Sequence, residues 1–296
     1  MSVGSVRGRV WRSFRRHRLA VAGLVVIAVV GVLGVVSFLD DAVFDNALIT
    51  AVWYSPFEPR FAPFAPPSAA HPFGTDSLGR DVLARTLYGA KVSVQVAVTA
   101  VTVAAVVGSP LGIVAGYVGG VVETALMRAV DVMLGFPALV LAIGLVAALG
   151  FSLTNVIIAL GIVYVPQFAR IARSTALSVS EEEYVDAARA LGYSRRHIVL
   201  REVLPNCLSP LLVQASLLMA FAIIAEASLS FLGLGVQPPT PTWGQMVSSG
   251  SGYLTQAPWI SLFPGLAILV TVLGFNLVGD GLRDALDPRE SSERRF

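Results

Sequence analysis

Apolar residues fall in six long runs, at about 19–39, 92–117, 126–149, 153–172, 208–232 and 259–278. A helix of about 20 apolar residues crosses the hydrocarbon core of a bilayer. Each run therefore predicts one transmembrane helix, and the fold class is an all-α polytopic membrane protein with about six spans. Pro137 and Pro166 fall inside two of the runs and predict kinks or broken turns. Gly119 and Gly120 predict a short turn between the second and third spans.

The polar intervals divide the rest. Residues 1–18 are a basic leader to the first helix, 19–39. Residues 40–90 form the longest irregular stretch, where Pro56, Pro59, Pro63, Pro66, Pro67 and Pro72 forbid a continuous helix. Within it, residues 75–88 interleave Asp and Arg with Leu78, Val82, Leu83 and Leu87, the spacing of a short amphipathic helix at the membrane surface. Residues 91–283 hold five further spans. They are interrupted by a polar block at 173–206 and by a loop at 233–258 carrying Pro238, Pro239, Pro241 and Trp243. Residues 284–296 are a charged tail. No internal repeat is visible.

Composition agrees with this pattern: 55% of residues are hydrophobic, 14% are charged and the mean hydropathy is +0.74. Soluble domains carry about a quarter charged residues. The distribution of charge sets the topology. Arg7, Arg9, Arg12, Arg15, Arg16 and Arg18 precede the first span with no acid among them, while Asp40 and Asp41 follow it. Basic flanks stay in the cytoplasm, so with six spans both termini are expected inside. Arg60, Arg80 and Arg85 in the outer loop oppose this mildly. The first apolar run exceeds a signal-peptide core and lacks a small-x-small cleavage site, so it reads as an uncleaved anchor. The basic cluster also suits anionic lipid headgroups. Cys207 is the only cysteine and the three histidines are scattered, which excludes disulfides and metal clusters.

The block from 178 to 206 is the most informative segment. Ser180 followed by Glu183 fits a capping box. Gly192 suits a left-handed helix end, Ser194 a second cap, and Pro205 a stop after Leu204. Two short helices hinged at a glycine result. Ala187 and Ala188 would admit a close neighbour, with Asp186, Arg189, Arg195, Arg196 and Arg201 at the edge. That composition suits a docking knob for a cytoplasmic partner, or equally an ordinary loop with a solvated face. A helix-turn-helix reader of nucleic acid is excluded by the flanking spans, which would press a duplex against the membrane.

At this block the chain resembles the permease subunits of ATP-binding-cassette importers, whose loop reads E-A-A, three residues, G, nine residues, I-x-L-P. Here the pattern stands as Asp186-Ala187-Ala188, Gly192 and Leu204-Pro205, with Asp for Glu and Glu202 for Ile. The stretches HPFGTDSLGRDVLARTLYGAK (71–91), EASLSFLGLGVQPPTPTWGQM (226–246) and PGLAILVTVLGFNLVGDGLRDALDPR (264–289) extend the likeness to the C-type permeases of dipeptide, oligopeptide and nickel importers. The resemblance implies a type I ABC importer permease fold. It also implies a second, B-type permease, two ATPase subunits that bind ATP and magnesium, and an extracytoplasmic solute-binding protein. It assigns ATPase coupling to Asp186, Ala187, Ala188, Arg189, Gly192, Leu204 and Pro205. Peptides are the implied solute, with nickel or another small solute as the alternative.

The chain itself has no phosphate-binding loop. Lys91 is its only lysine, and Val92 follows it where the motif needs Ser or Thr. It is therefore expected to be no enzyme and to hold no cofactor or metal. Glu226 lies late in the fifth span. It either faces the pathway entrance or is a hydrogen-bonded residue of the interface. Arg128 and Asp131 are spaced to pair on one helix face. Asn276 and Asp280 read as structural, and Trp243, Tyr253 and Trp259 as outer-interface aromatics. Two other functions compete: an ion-driven secondary transporter, which would show mid-bilayer charges and inverted repeats, and a membrane-anchored scaffold.

Overall fold

The computed structural model describes residues 11–44, 46, 50 and 53–286. Arg7, Arg9, Arg289 and most of the 284–296 tail lie outside these. Among the described residues the chain is helical, apart from loops and one isolated antiparallel bridge between Thr75 and Asp81. The principal helices are α1 (Arg18–Val43), α2 (Val82–Val118), α3 (Gly120–Leu134), α4 (Ala138–Leu149), α5 (Leu153–Ser180), α6 (Glu183–Ala190), α7 (Arg195–Ile198), α8 (Leu204–Phe231), α9 (Trp243–Ser251) and α10 (Trp259–Leu286).

Five elements are long and apolar enough to cross a membrane: α1, α2, α5, the Arg195–Phe231 helix and α10. The sixth crossing is the α3–α4 pair, bent by 89°. Its break falls at Gly135, Phe136 and Pro137, because Pro137 has no N–H to continue α3. Packing elsewhere shows that this pair crosses rather than re-enters. A Cβ on Gly108, Gly112 or Gly116 of α2 would meet Val165, Ala169 or Arg173 of α5 in turn. The two sequences advance together, so α2 and α5 are parallel and α3–α4 must carry the chain back between them.

The glycines explain why these helices pair so closely. Lipid tails offer no hydrophobic drive between apolar helices, so small residues that admit backbone contact decide the packing. The same device joins α1 to α10, antiparallel, where Gly23 meets Gly274 and Gly281 meets Ala20. The outer faces of α1, α2 and α10 leave residues such as Val29, Val106, Leu262 and Leu269 exposed, the expected finish for surfaces in lipid.

Several boundaries differ from those expected. The amphipathic helix expected at 75–88 is not a separate element. Residues 75–81 form a turn, Asp81 caps α2 by accepting from the Ala84 N–H at 2.7 Å, and the helix runs on into the second span. The expected boundary between 90 and 91 thus lies inside α2. Asp76 pairs with both Arg80 (2.7 Å) and Arg85 (3.6 Å), which offsets part of the positive charge of this loop. At the other end α5 continues to Ser180, well into the block expected to begin at 173. Asp131 pairs not with Arg128 but with Arg170 of α5, at 2.9 Å, because its face of α3 looks at α5.

Trp243 is also not an interface residue. It is 2% exposed, and its indole N–H donates to the Thr86 carbonyl at 2.7 Å. The ring covers Gly89, where a Cβ would come within 2.8 Å of it. Trp259 ties the same outer cap down by donating to the Thr75 carbonyl at 3.0 Å. Trp243→Phe removes a buried donor and some of the ring and is expected to cost about 1–3 kcal/mol, read as a lower thermal midpoint of the detergent-solubilised chain.

Candidate functional site

The start of α1 and the end of α10 lie at one end of the bundle, with His17 Nε2 3.6 Å from Asp284. The ends of α2 and α5 and the start of α8 lie there too, by the antiparallel and parallel packing above. The α6–α7 elbow projects at this end. Arg12, Arg15, Arg16, Arg18, Arg189, Arg195, Arg196 and Arg201 lie on the segments at this end, and Arg173 and Arg170 stand about two and three turns before the end of α5. Arg189 stacks its guanidinium 5.8 Å from the Tyr117 ring at the end of α2.

The elbow is built in four steps. Ser180 does not cap α6: its hydroxyl donates back to the Ala176 carbonyl at 2.6 Å inside α5, and Glu182 occupies the cap position without a side-chain bond. A serine bonding backward in this way keeps the preceding helix going. Gly192 does end α6. Its φ is +79°, its N–H donates to Arg189 and the Tyr193 N–H donates to Ala188, the paired bonds of a Schellman motif. Ser194 caps α7 through the His197 N–H at 3.3 Å. Pro205 does not stop the second helix. A π-helical turn at Val199–Val203 widens the backbone, with the Leu204 N–H bonded to Val199, and α8 continues through the proline. Such a turn relieves the clash of a proline ring with the preceding carbonyl.

The elbow has an inner and an outer face. Val185, Ala188, Ile198 and Val203 are buried and belong to the main core. Asn206 donates to the Tyr184 hydroxyl (3.2 Å) and to the Glu202 carbonyl (2.6 Å), which binds α6 to the start of α8. Desolvation, and then the carboxylates of Glu182 and Glu202, push the Tyr184 phenol above its ordinary pKa. Outside, Ala187 is exposed, Leu191 is 75% and Tyr193 51% exposed, and the Asp186–Arg189 pair (2.8 Å) sits in solvent. Of the two alanines expected to admit a neighbour, only Ala187 faces outward. Leu204 is half-buried and Pro205 exposed. Asp186, Ala187, Ala188, Arg189 and Gly192 thus lie in one elbow, with Ala188 serving its inner face, and Leu204 and Pro205 open α8 just beyond it. A shallow acidic depression of about 600 Å³ adjoins it, lined by Ser178, Glu181, Glu182, Glu183 and Tyr184.

Glu226 is elsewhere, at the far end of α8. It is 1% exposed and accepts the Ser230 hydroxyl at 2.7 Å, so within this chain it faces packed protein. Sequence reasoning missed the bracing of α3 against α5. Besides Asp131–Arg170, Glu123 pairs with Arg173. The signal was present as two acids eight apart on α3 and two arginines three apart on α5, but the facing of the helices was not.

The chain belongs to the family described as binding-protein-dependent transport system inner membrane components, which it matches over residues 108–292. Its architecture is that of a type I ABC importer permease. It resembles a chain of an inward-facing MetNI methionine ABC transporter structure with a TM-score of 0.57 and 18% identity, over 70% of this chain and 97% of that one. Among curated relatives, it is 45% identical to the dipeptide transport system permease protein DppC of Alkalihalophilus pseudofirmus, over 95% of this chain and 90% of that protein. It is 47% identical to DppC of Escherichia coli, over 94% and 92%. It is 44% identical to the D,D-dipeptide transport system permease protein DdpC, described as probable, of Escherichia coli, over 83% and 84%. Membership makes it a multi-pass permease subunit, with ATPases and a binding protein as the partners of its class.

Proposed function

We propose that this chain forms half of the translocation pathway of a peptide importer, paired with a non-identical B-type permease. Two ATPase subunits, which bind ATP and magnesium, dock at the elbow end. A solute-binding protein delivers peptide at the opposite end. The basic end is cytoplasmic in this reading, which places both termini inside and the chain in the plasma membrane of a prokaryote.

The observation that carries the reading is the two-faced elbow. Its inner face is fastened into the core, while Ala187, Leu191 and Tyr193 stand unburied outside. A surface of this kind transmits a push from a docked protein to the spans, which is how an ATPase would switch the pathway between two states. Asp186, Arg189 and Gly192 set its charge and its turn, while Leu204 and Pro205 join it to α8. The peptide solute follows from the names of the relatives, which match over nearly the full chain.

A mild-detergent pull-down of this chain from its native membrane tests the reading. Co-isolation of an ABC ATPase and a second permease is the expected result. Recovery of the chain alone, under conditions that keep a known importer intact, would favour a gradient-driven transporter instead.

A further inference from the structure

Halfway along two of the spanning helices, on faces that the chain leaves partly open, two glutamines meet. The Gln214 Nε2 of α8 donates to the Gln167 Oε1 of α5 at 3.1 Å. Gln167 lies 13 residues before the end of α5, roughly 20 Å from it along the helix. Gln214 lies near the middle of the Arg195–Phe231 helix. Both side chains are only half-buried.

A carboxamide pair joined by one hydrogen bond still has one NH2 group and one carbonyl oxygen to satisfy. Among the described residues, no hydrogen bond takes up the Gln167 NH2 or the Gln214 carbonyl. Exposed to hydrocarbon, each would be left without a partner, which a bilayer core does not tolerate. They must therefore meet water or another polar group. Exchanging the orientation of both amides leaves the same complement, one donor and one acceptor side by side. One turn further along the same face of α5 stands Arg170, 59% exposed and paired with Asp131, itself 53% exposed. An ion pair this open on the spanning helices marks the same face as wet. The break at Gly135–Phe136–Pro137, exposed and non-helical, adjoins it and is tolerated at membrane depth only beside protein or water.

We propose that Gln167 and Gln214 are a solute-contact pair in the pathway, which hydrogen-bonds the peptide units of the passing solute through its spare donor and acceptor. A peptide bond presents one N–H and one C=O, the complement of that pair, whatever its side chains. The proposal rests on the peptide-importer reading above.

The test uses the whole importer, reconstituted in proteoliposomes and supplied with a labelled mixture of dipeptides to pentapeptides. The double variant Gln167→Leu/Gln214→Leu is expected to assemble with its partners at the parent yield while uptake falls at least tenfold. A second variant, Gln214→Cys, is expected to be alkylated by a membrane-impermeant maleimide in one nucleotide state, and excess peptide mixture to slow that alkylation several-fold. Cys207, fully buried, contributes no background. Unchanged uptake in the double variant overturns the proposal. If the double variant fails to assemble, the cysteine decides: no alkylation in any state, or alkylation indifferent to peptide, means a packing contact only. If the parent importer carries no peptide at all, the peptide reading itself falls, a separate and visible outcome.

Discussion

Gly112→Leu is expected to leave almost no folded chain to purify. A Cβ at this position would collide with the Ala169 carbonyl oxygen and sit 2.7 Å from the Ala172 side chain. Both belong to the middle of α5, whose backbone cannot yield locally without losing its own hydrogen bonds. The helices would have to part along the α2–α5 seam, where Gly108 and Gly116 make contacts nearly as close. Overpacking usually costs 1–3 kcal/mol, and a leucine forced against backbone belongs at or beyond about 3 kcal/mol. The measurement is the yield of monodisperse chain by size-exclusion chromatography in detergent. Gly144→Leu and Gly265→Leu are the comparison, since a Cβ there meets nothing within 4 Å. Parental yield from Gly112→Leu would show that the α2–α5 seam is looser than drawn.

Gly192→Arg is expected to do the opposite: the chain folds and the importer stops. A Cβ at Gly192 meets nothing within 4 Å, so there is no clash inside the subunit. Two consequences remain. The residue holds φ at +79°, a conformation that costs a side chain about 1–2 kcal/mol. The arginine would also project from the face that carries Leu191 and Tyr193. Loss of ATPase co-purification and of ATP-driven uptake, at least tenfold, is the expected result. Gly192→Asn, which tolerates the left-handed turn, should retain much of both. Full uptake by the arginine variant would remove the elbow from the coupling route.

The six crossings, the polar block and its glycine hinge were legible because they rest on local signals. Run length, turn residues and charge position need no knowledge of neighbours. What was not legible depended on neighbours. Trp243 carries the composition of an interface aromatic, yet the loop that holds it folds inward over Gly89. Ser180 has the spacing of a cap, but it is the last residue of α5 and bonds backward. Pro205 has the usual signature of a helix stop, and only the π turn before it lets the helix pass. Asp131 had an arginine at the right spacing on its own helix, and a better-placed one on α5. Of the elbow, the sequence showed which residues gather but not that Ala188 points inward while Ala187 points out.

The π turn also bears on how far a small movement at the elbow would reach. Because the backbone passes Pro205 without a break, Arg195–Phe231 is one element of 37 residues, about 55 Å long. Its first residue belongs to the elbow and its last lies at the outer cap, one turn past Glu226. Such an element works as a lever arm. A rocking of 5° about its inner end would sweep the outer tip through about 5 Å, on the rise per residue of an ordinary helix. A stop at Pro205 would have placed a flexible joint at the fulcrum, and the stroke would have been absorbed there.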